Sequence, residues 1–195
     1  MGRPVDEEVI GMDRKLAVVV GASMSAAAFG VLFKAMGAPP NVEALMAFIM
    51  PAAMVLGPFY GFTNALLTRA VYDAYQGWAG WWTVLTSLSY GLVGLAAGYV
   101  MKYKRAWNRL ELAGLAAVLT LFYDAITMLA FGVPFGIPLA ALVAGQVPFT
   151  INHVVGNVLL CFAFAPLLLK ALSGYVGVKV ESRQPVVAAV PFQEQ

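Results

Sequence analysis

Long stretches without a charge organise this chain. Leu16 to Phe33 runs 18 residues uncharged, Ala44 to Thr68 runs 25 and Ala74 to Met101 runs 28. Ala125 to Leu169 runs 45 residues with His153 as its one titratable group of the Asp, Glu, Lys, Arg and His classes. A helix that crosses a bilayer needs roughly 20 apolar residues. The runs therefore predict helices at about 15–36, 43–56, 59–74, 80–101, 110–131 and 148–170, with a Gly/Pro-rich connector from Gly132 to Pro148. Pro51, Gly57, Pro58 and Gly61 divide the stretch between Glu43 and Asp73 into two short helices. No alternating ten-residue pattern is present, which excludes a membrane β-barrel.

Composition makes the same case. Of 195 residues, 61% are apolar and 11% charged, against roughly 25% charged in soluble domains. A water-soluble domain of this size cannot hide that much apolar surface. The fold class expected is all-α: a polytopic membrane protein of six transmembrane helices. The ten cations Arg3, Arg14, Lys15, Lys102, Lys104, Arg105, Arg109, Lys170, Lys179 and Arg183 then face the cytoplasm, with both termini, and Lys34 and Arg69 lie outside. The predicted organisation is a tail at 1–13, a membrane domain at 14–172 and a tail at 173–195, both tails cytoplasmic. Asp6, Glu7, Glu8 and Asp13 argue against a cleaved signal peptide, because its leading segment should be positive. A net charge of +2 and one cysteine, Cys161, leave no sign of nucleic-acid binding, disulfides or a thiol metal site.

Polar groups inside such runs are costly and point to function. Asp124, Asn152, His153, Asn157, Asn64, Arg69 and Asp73 all fall in the outer half of the six-span arrangement. Thr120, Asp124 and Thr127 share one helix face, as do His153 and Asn157. Tyr72, Tyr75, Trp78, Trp81 and Trp82 stand over the same side. The expectation is a pocket open to the outside, lined by Asn64, Arg69, Trp82, Tyr123, Asp124, Thr127, Asn152, His153 and Asn157 and lidded by aromatics. Plainer readings stand beside it: an interfacial aromatic belt, a surface pair between Arg69 and Asp73, and asparagines as interhelical glue. Asp124 needs a partner in any reading, and Arg69 or His153 can supply one. The chain has no phosphate-binding P-loop and no His-Glu-x-x-His, and with one histidine no metal site or cofactor is expected. Ser23 and His153 are separated by about 12 Å of depth, too far for a nucleophile and its base.

Small residues make two helix faces suited to close packing: Ala22, Ala26 and Gly30 in the first span, and Ser87, Gly91, Gly94 and Gly98 in the fourth.

Three pieces of chain, in order, resemble the S components of energy-coupling factor (ECF) transporters, a class of ABC transporter. They are Gly57-Pro58-Phe59-Tyr60-Gly61, Phe122-Tyr123-Asp124-Ala125-Ile126-Thr127, and Gly145-Gln146-Val147-Pro148-Phe149-Thr150-Ile151-Asn152-His153 leading to Asn157. The spacing Ala22-x-x-x-Ala26 is similar to that family's docking motif, and the resemblance covers about residues 14–172. It implies a multi-pass protein of the cell membrane that binds a micronutrient, a vitamin or its precursor, with high affinity from outside. It also implies partners: a transmembrane coupling subunit, docked through Ala22, Ala26 and Gly30, and two ATPase subunits that energise uptake. No Met-His-Ile-Pro-Asp-Gly start is present, which argues against the nickel and cobalt branch. On this reading the chain is not an enzyme. Two alternatives stay open: an intramembrane enzyme using Asp124, His153 and Asn157 on a lipid or small amphipathic substrate, and a scaffold without a ligand.

Overall fold

Gly57 is where the apolar stretch between Glu43 and Asp73 divides. Its φ of 83° is open to glycine at little cost, and Pro58 begins the following helix with its φ already set. The computed structural model describes residues 12–104 and 106–178. The helices are α1 (Met12–Ala35), α2 (Leu45–Leu56), α3 (Pro58–Tyr75), α4 (Trp81–Tyr103), α5 (Arg109–Gly132) and α6 (Leu139–Val176). No strand occurs among the described residues. The tails predicted for 1–13 and 173–195 lie largely outside the described residues; within them, α1 begins at Met12 and α6 runs on to Val176.

Four helices are long and apolar enough to cross a membrane: α1, α4, α5 with the short turn that follows it, and α6. The pair between α1 and α4 is different. α2 has 12 residues, about 18 Å of helix, and is apolar all round. Such a helix belongs inside a bundle rather than at its surface. Every α2 residue except Phe48 is buried, and α2 touches all five other helices. Leu45, Met46, Ile49, Met50 and Met54 fill the centre. Methionine suits a site where five helices meet irregularly. Pro51 sits within α2 without ending it.

The glycines of α4 form a seam with α3. A methyl group on Gly98 would lie 2.6 Å from the Gly57 carbonyl carbon, one on Gly91 would meet Phe62 at 2.7 Å, and one on Gly94 would collide with the Gly61 carbonyl oxygen. Close approach of the two backbones depends on these missing side chains.

Two expectations are corrected. The last helix begins at Leu139, nine residues before the predicted start at 148. The actual break is the turn Val133–Phe135 with Gly136 at φ 68° and Pro138. Gly145 and Pro148 are carried inside α6, where Pro148 removes one backbone donor and the helix continues. Second, the face of Ala22, Ala26 and Gly30 does not point outward. Ala26 is fully buried, and a methyl group on Gly30 would meet Tyr72 at 2.9 Å and Leu45 at 3.0 Å. These residues are the seam by which α1 packs on α2 and α3.

Candidate functional site

One end of the bundle gathers the loop before α2, the C-terminal ends of α3 and α5, and the first half of α6. A cavity of about 220 Å³ lies there. Its walls come from Asn41 and Glu43 in the loop, Arg69 on α3, Tyr123, Asp124 and Thr127 on α5, and Gln146, Phe149 and His153 on α6.

The helical period explains the α5 and α6 walls. Tyr123, Asp124 and Thr127 lie within one turn, and their faces are buried against the bundle. Because α6 starts at Leu139, Gln146, Phe149, Thr150 and His153 follow at three- and four-residue steps on one face. Asp124 sits between these two faces. One carboxylate oxygen is 2.8 Å from His153 Nδ1, and the other accepts from the Thr150 hydroxyl at 2.7 Å. The Thr150 hydroxyl in turn accepts from the Gln146 amide at 3.2 Å. An ionised Asp124 requires a proton on His153 Nδ1, so the pairing selects that tautomer. The Tyr123 ring centroid is 4.4 Å from that of Tyr90 and 5.6 Å from that of His153, to whose ring it is nearly perpendicular. The Thr127 hydroxyl bonds back to the Tyr123 and Asp124 carbonyls at 3.0 and 3.2 Å.

Arg69 organises the other wall. Its guanidinium bridges Glu43 at 3.1 Å and Asp73 at 2.9 Å, and lies over the rings of Tyr72 and Tyr90. Asp73 also accepts from the Thr83 hydroxyl at 2.8 Å, and that hydroxyl accepts from the Gly80 amide at 3.1 Å. A single guanidinium thus ties the loop before α2 to α3 and, through Asp73, to the start of α4. Arg69 Nε has no hydrogen-bond partner among the described residues. The cavity combines two carboxylates, one guanidinium, one imidazole and aromatic walls. It can present hydrogen-bond acceptors and flat apolar faces to one small molecule. Among the described residues no group of three or more His, Cys, Asp or Glu side chains is placed to hold a metal ion.

Of the nine residues expected to line a site, Arg69, Tyr123, Asp124, Thr127 and His153 meet at the cavity. The other four stand elsewhere. Asn64 is buried and donates to the Val19 carbonyl at 3.1 Å and the Ser23 hydroxyl at 2.9 Å, joining α3 to α1. Asn157 lies one turn deeper than His153 and donates to Thr120 at 2.9 Å. Asn152 is exposed on another face of α6. Trp82 is partly exposed and covers Gly80. The aromatic lid is also corrected. Tyr72 is buried beside Gly30, and Tyr75, Trp78 and Trp81 are exposed, at 53, 68 and 62%. Rings so exposed at a helix end suit a membrane interface.

Four cavity residues were missed: Asn41, Glu43, Gln146 and Phe149. Glu43 is the one charge between Lys34 and Arg69, which was a usable signal. Gln146 and Phe149 continue the three- and four-residue steps back from His153, a continuity that Pro148 masks in the sequence. Asn41, at φ 60° in a loop, had no periodic signal.

A family model described as "ECF-type riboflavin transporter, S component" matches residues 15–169. No curated protein and no solved structure matches.

Proposed function

The chain belongs to the family of ECF-type riboflavin transporter S components, and from that premise we propose that it captures riboflavin, or a flavin close to it, outside the cell. It is a vitamin-uptake, substrate-binding subunit of a transporter and not an enzyme. It is also a multi-pass membrane protein. In the proposed arrangement all six helices lie in the cell membrane, with both termini cytoplasmic and the cavity opening outward. The short α2 is tolerated because the other helices sheathe it.

The observation that carries the substrate reading is the cavity itself. It lies within the matched region, at one end of the bundle, and pairs aromatic walls with polar groups. A flavin has a flat ring system, a polar edge rich in donors and acceptors, and a hydroxylated side chain. Tyr123 and Phe149 offer faces to the ring. Asn41, Glu43, Asp124, Thr127, Gln146 and His153 offer hydrogen bonds, and Arg69 holds the loop in place. Asn64, Trp82, Asn152 and Asn157 are outside this binding set. The alternative of an intramembrane enzyme loses its third member, because the Asn157 amide is bonded to Thr120 away from the cavity.

Release inside is assigned to a separate coupling subunit and two ATPase subunits. The surface of α1 offered to the coupling subunit is the stripe Ala17, Gly21, Ser25 and Ala28, all exposed. Ala26 is nine residues from Ala17, about half a turn round the helix. The stripe is smooth enough for a partner helix to approach closely.

Equilibrium dialysis of the purified protein against riboflavin tests the substrate reading. Saturable binding of one riboflavin per chain, lost in Tyr123→Ala with the fold retained, is expected. No saturable riboflavin binding by folded wild-type protein refutes it.

A further inference from the structure

The charges around the cavity do not cancel. Glu43 and Asp124 are walls, and Arg69 is the one Lys or Arg side chain among the walls. Both terminal nitrogens of Arg69 already face a carboxylate: Nη1 is 3.1 Å from Glu43 and Nη2 is 2.9 Å from Asp73. The remaining nitrogen, Nε, is buried. Asp124 has no Lys or Arg opposite it; its partners are His153 Nδ1 and the Thr150 hydroxyl. Three ionised carboxylates thus stand against one guanidinium. The excess is two negative charges when His153 is neutral and one when it is protonated.

No other cation among the described residues corrects this. Lys34, at the end of α1, donates to the Pro39 carbonyl at 2.8 Å and is not a wall of the cavity. Lys102, Lys104 and Arg109 stand where α4 ends and α5 begins, at the opposite end of the bundle. Lys170 lies about 25 Å beyond His153 along α6. In a largely buried cavity an uncancelled charge acts strongly on a ligand and is little screened by salt. A neutral ligand can donate hydrogen bonds to these carboxylates. An anion must lose its water, finds no free cation and meets two like charges.

Resting on the flavin-capture reading, we propose that Glu43 and Asp124 make the cavity a charge filter, which admits the neutral vitamin and rejects its phosphate esters. A phosphate monoester carries roughly −1.5 to −2 charges at pH 7. It shares every ring contact with the neutral compound, so repulsion is what separates the two. Hydrolysis outside the cell is then the class of reaction that must supply the cargo from such esters. Water cleaves the ester to the free alcohol and inorganic phosphate.

The test compares three ligands by equilibrium dialysis of the purified full chain in detergent: riboflavin, riboflavin 5′-phosphate, and the neutral dimethyl ester of that phosphate. The phosphate should bind about thirtyfold or more weaker than riboflavin. The dimethyl ester, larger but uncharged, should recover about tenfold or more of that loss. In Glu43→Gln or Asp124→Asn the ratio of phosphate to riboflavin affinity should rise about threefold or more, whatever happens to riboflavin affinity itself. A smaller phosphate penalty, or a dimethyl ester as weak as the phosphate, overturns the charge filter and leaves flavin capture standing. So does an unchanged ratio in both variants when they fold and bind riboflavin. Should neither variant fold, the ester comparison on wild-type protein decides alone. Absence of riboflavin binding by folded wild-type protein overturns both readings.

Discussion

Replacing Asp124 by alanine removes the acceptor that joins α5 to α6 beside the cavity. Two donors lose it: His153 Nδ1, at 2.8 Å, and the Thr150 hydroxyl, at 2.7 Å. Asp124 and His153 are buried and Thr150 is partly buried. The Thr150 hydroxyl can turn to another acceptor, whereas the His153 ring is packed nearly perpendicular to that of Tyr123. At least one hydrogen bond to a charged group is therefore lost outright, which costs on the order of 1.5–3 kcal/mol. If that energy holds the binding geometry, affinity falls about 10- to 150-fold. Asp124→Asn is the internal control. It keeps the volume and one oxygen acceptor for Thr150, and its amide can donate to His153 in the other tautomer. Its loss should stay under about 1.5 kcal/mol. Riboflavin dialysis, paired with thermal unfolding in detergent, reads both effects. The reasoning fails if alanine leaves affinity and melting unchanged. It also fails if asparagine is as damaging as alanine, because the charge and not the hydrogen-bond acceptor would then be what matters.

Arg69→Ala leaves Glu43 and Asp73 without their cation, and removing one partner of a buried pair costs about 3–5 kcal/mol; a melting shift no larger than that of an exposed-surface control such as Leu159→Ala would contradict the hub. Gly94→Ala drives a methyl into the Gly61 carbonyl, so melting should fall by the equivalent of about 1–3 kcal/mol, and an unchanged melting point would mean that the α3–α4 seam is looser than described. Gly21→Trp should abolish co-purification with the coupling and ATPase subunits while riboflavin affinity is kept, and Ala26→Trp should destabilise the isolated chain; normal complex formation by Gly21→Trp would remove the docking stripe. Single cysteines replacing Lys34, Gln76, Ala106 and Ala140 should label from outside, outside, inside and outside, and labelling of position 106 from outside alone would overturn the six-span topology.

Charge-free runs located the helices well because the bilayer tolerates so few ionised groups. Most predicted ends fall within a few residues of those found. The start of α6 was not legible, because proline is a breaker in water and merely a missing donor in a packed membrane helix. Asp124 and His153 stood out in the sequence because nothing else in an apolar run needs a charge. The four-residue step made a pair of Arg69 with Asp73 legible, whereas the partner of Asp124 stayed open between Arg69 and His153 because the packing of α5 on α6 is not written in either helix. Glu43 could not be joined to Arg69 without knowing how the loop before α2 folds back. Which side of α1 packs inward was not legible for a related reason. Gly21, Ala22, Ser23, Ser25, Ala26, Ala27 and Ala28 are small on every face, so periodicity alone cannot say which face is inside.

The central claim is that this chain holds a flavin, and its natural cargo can be read directly. The protein is expressed in cells growing on rich medium, purified in mild detergent and denatured in acid, and the released small molecules are identified and quantified by mass spectrometry. The account predicts riboflavin, close to one per chain, and its loss from Tyr123→Ala purified in the same way. A different compound at one per chain, or no flavin above the level of the Tyr123→Ala sample, would contradict it.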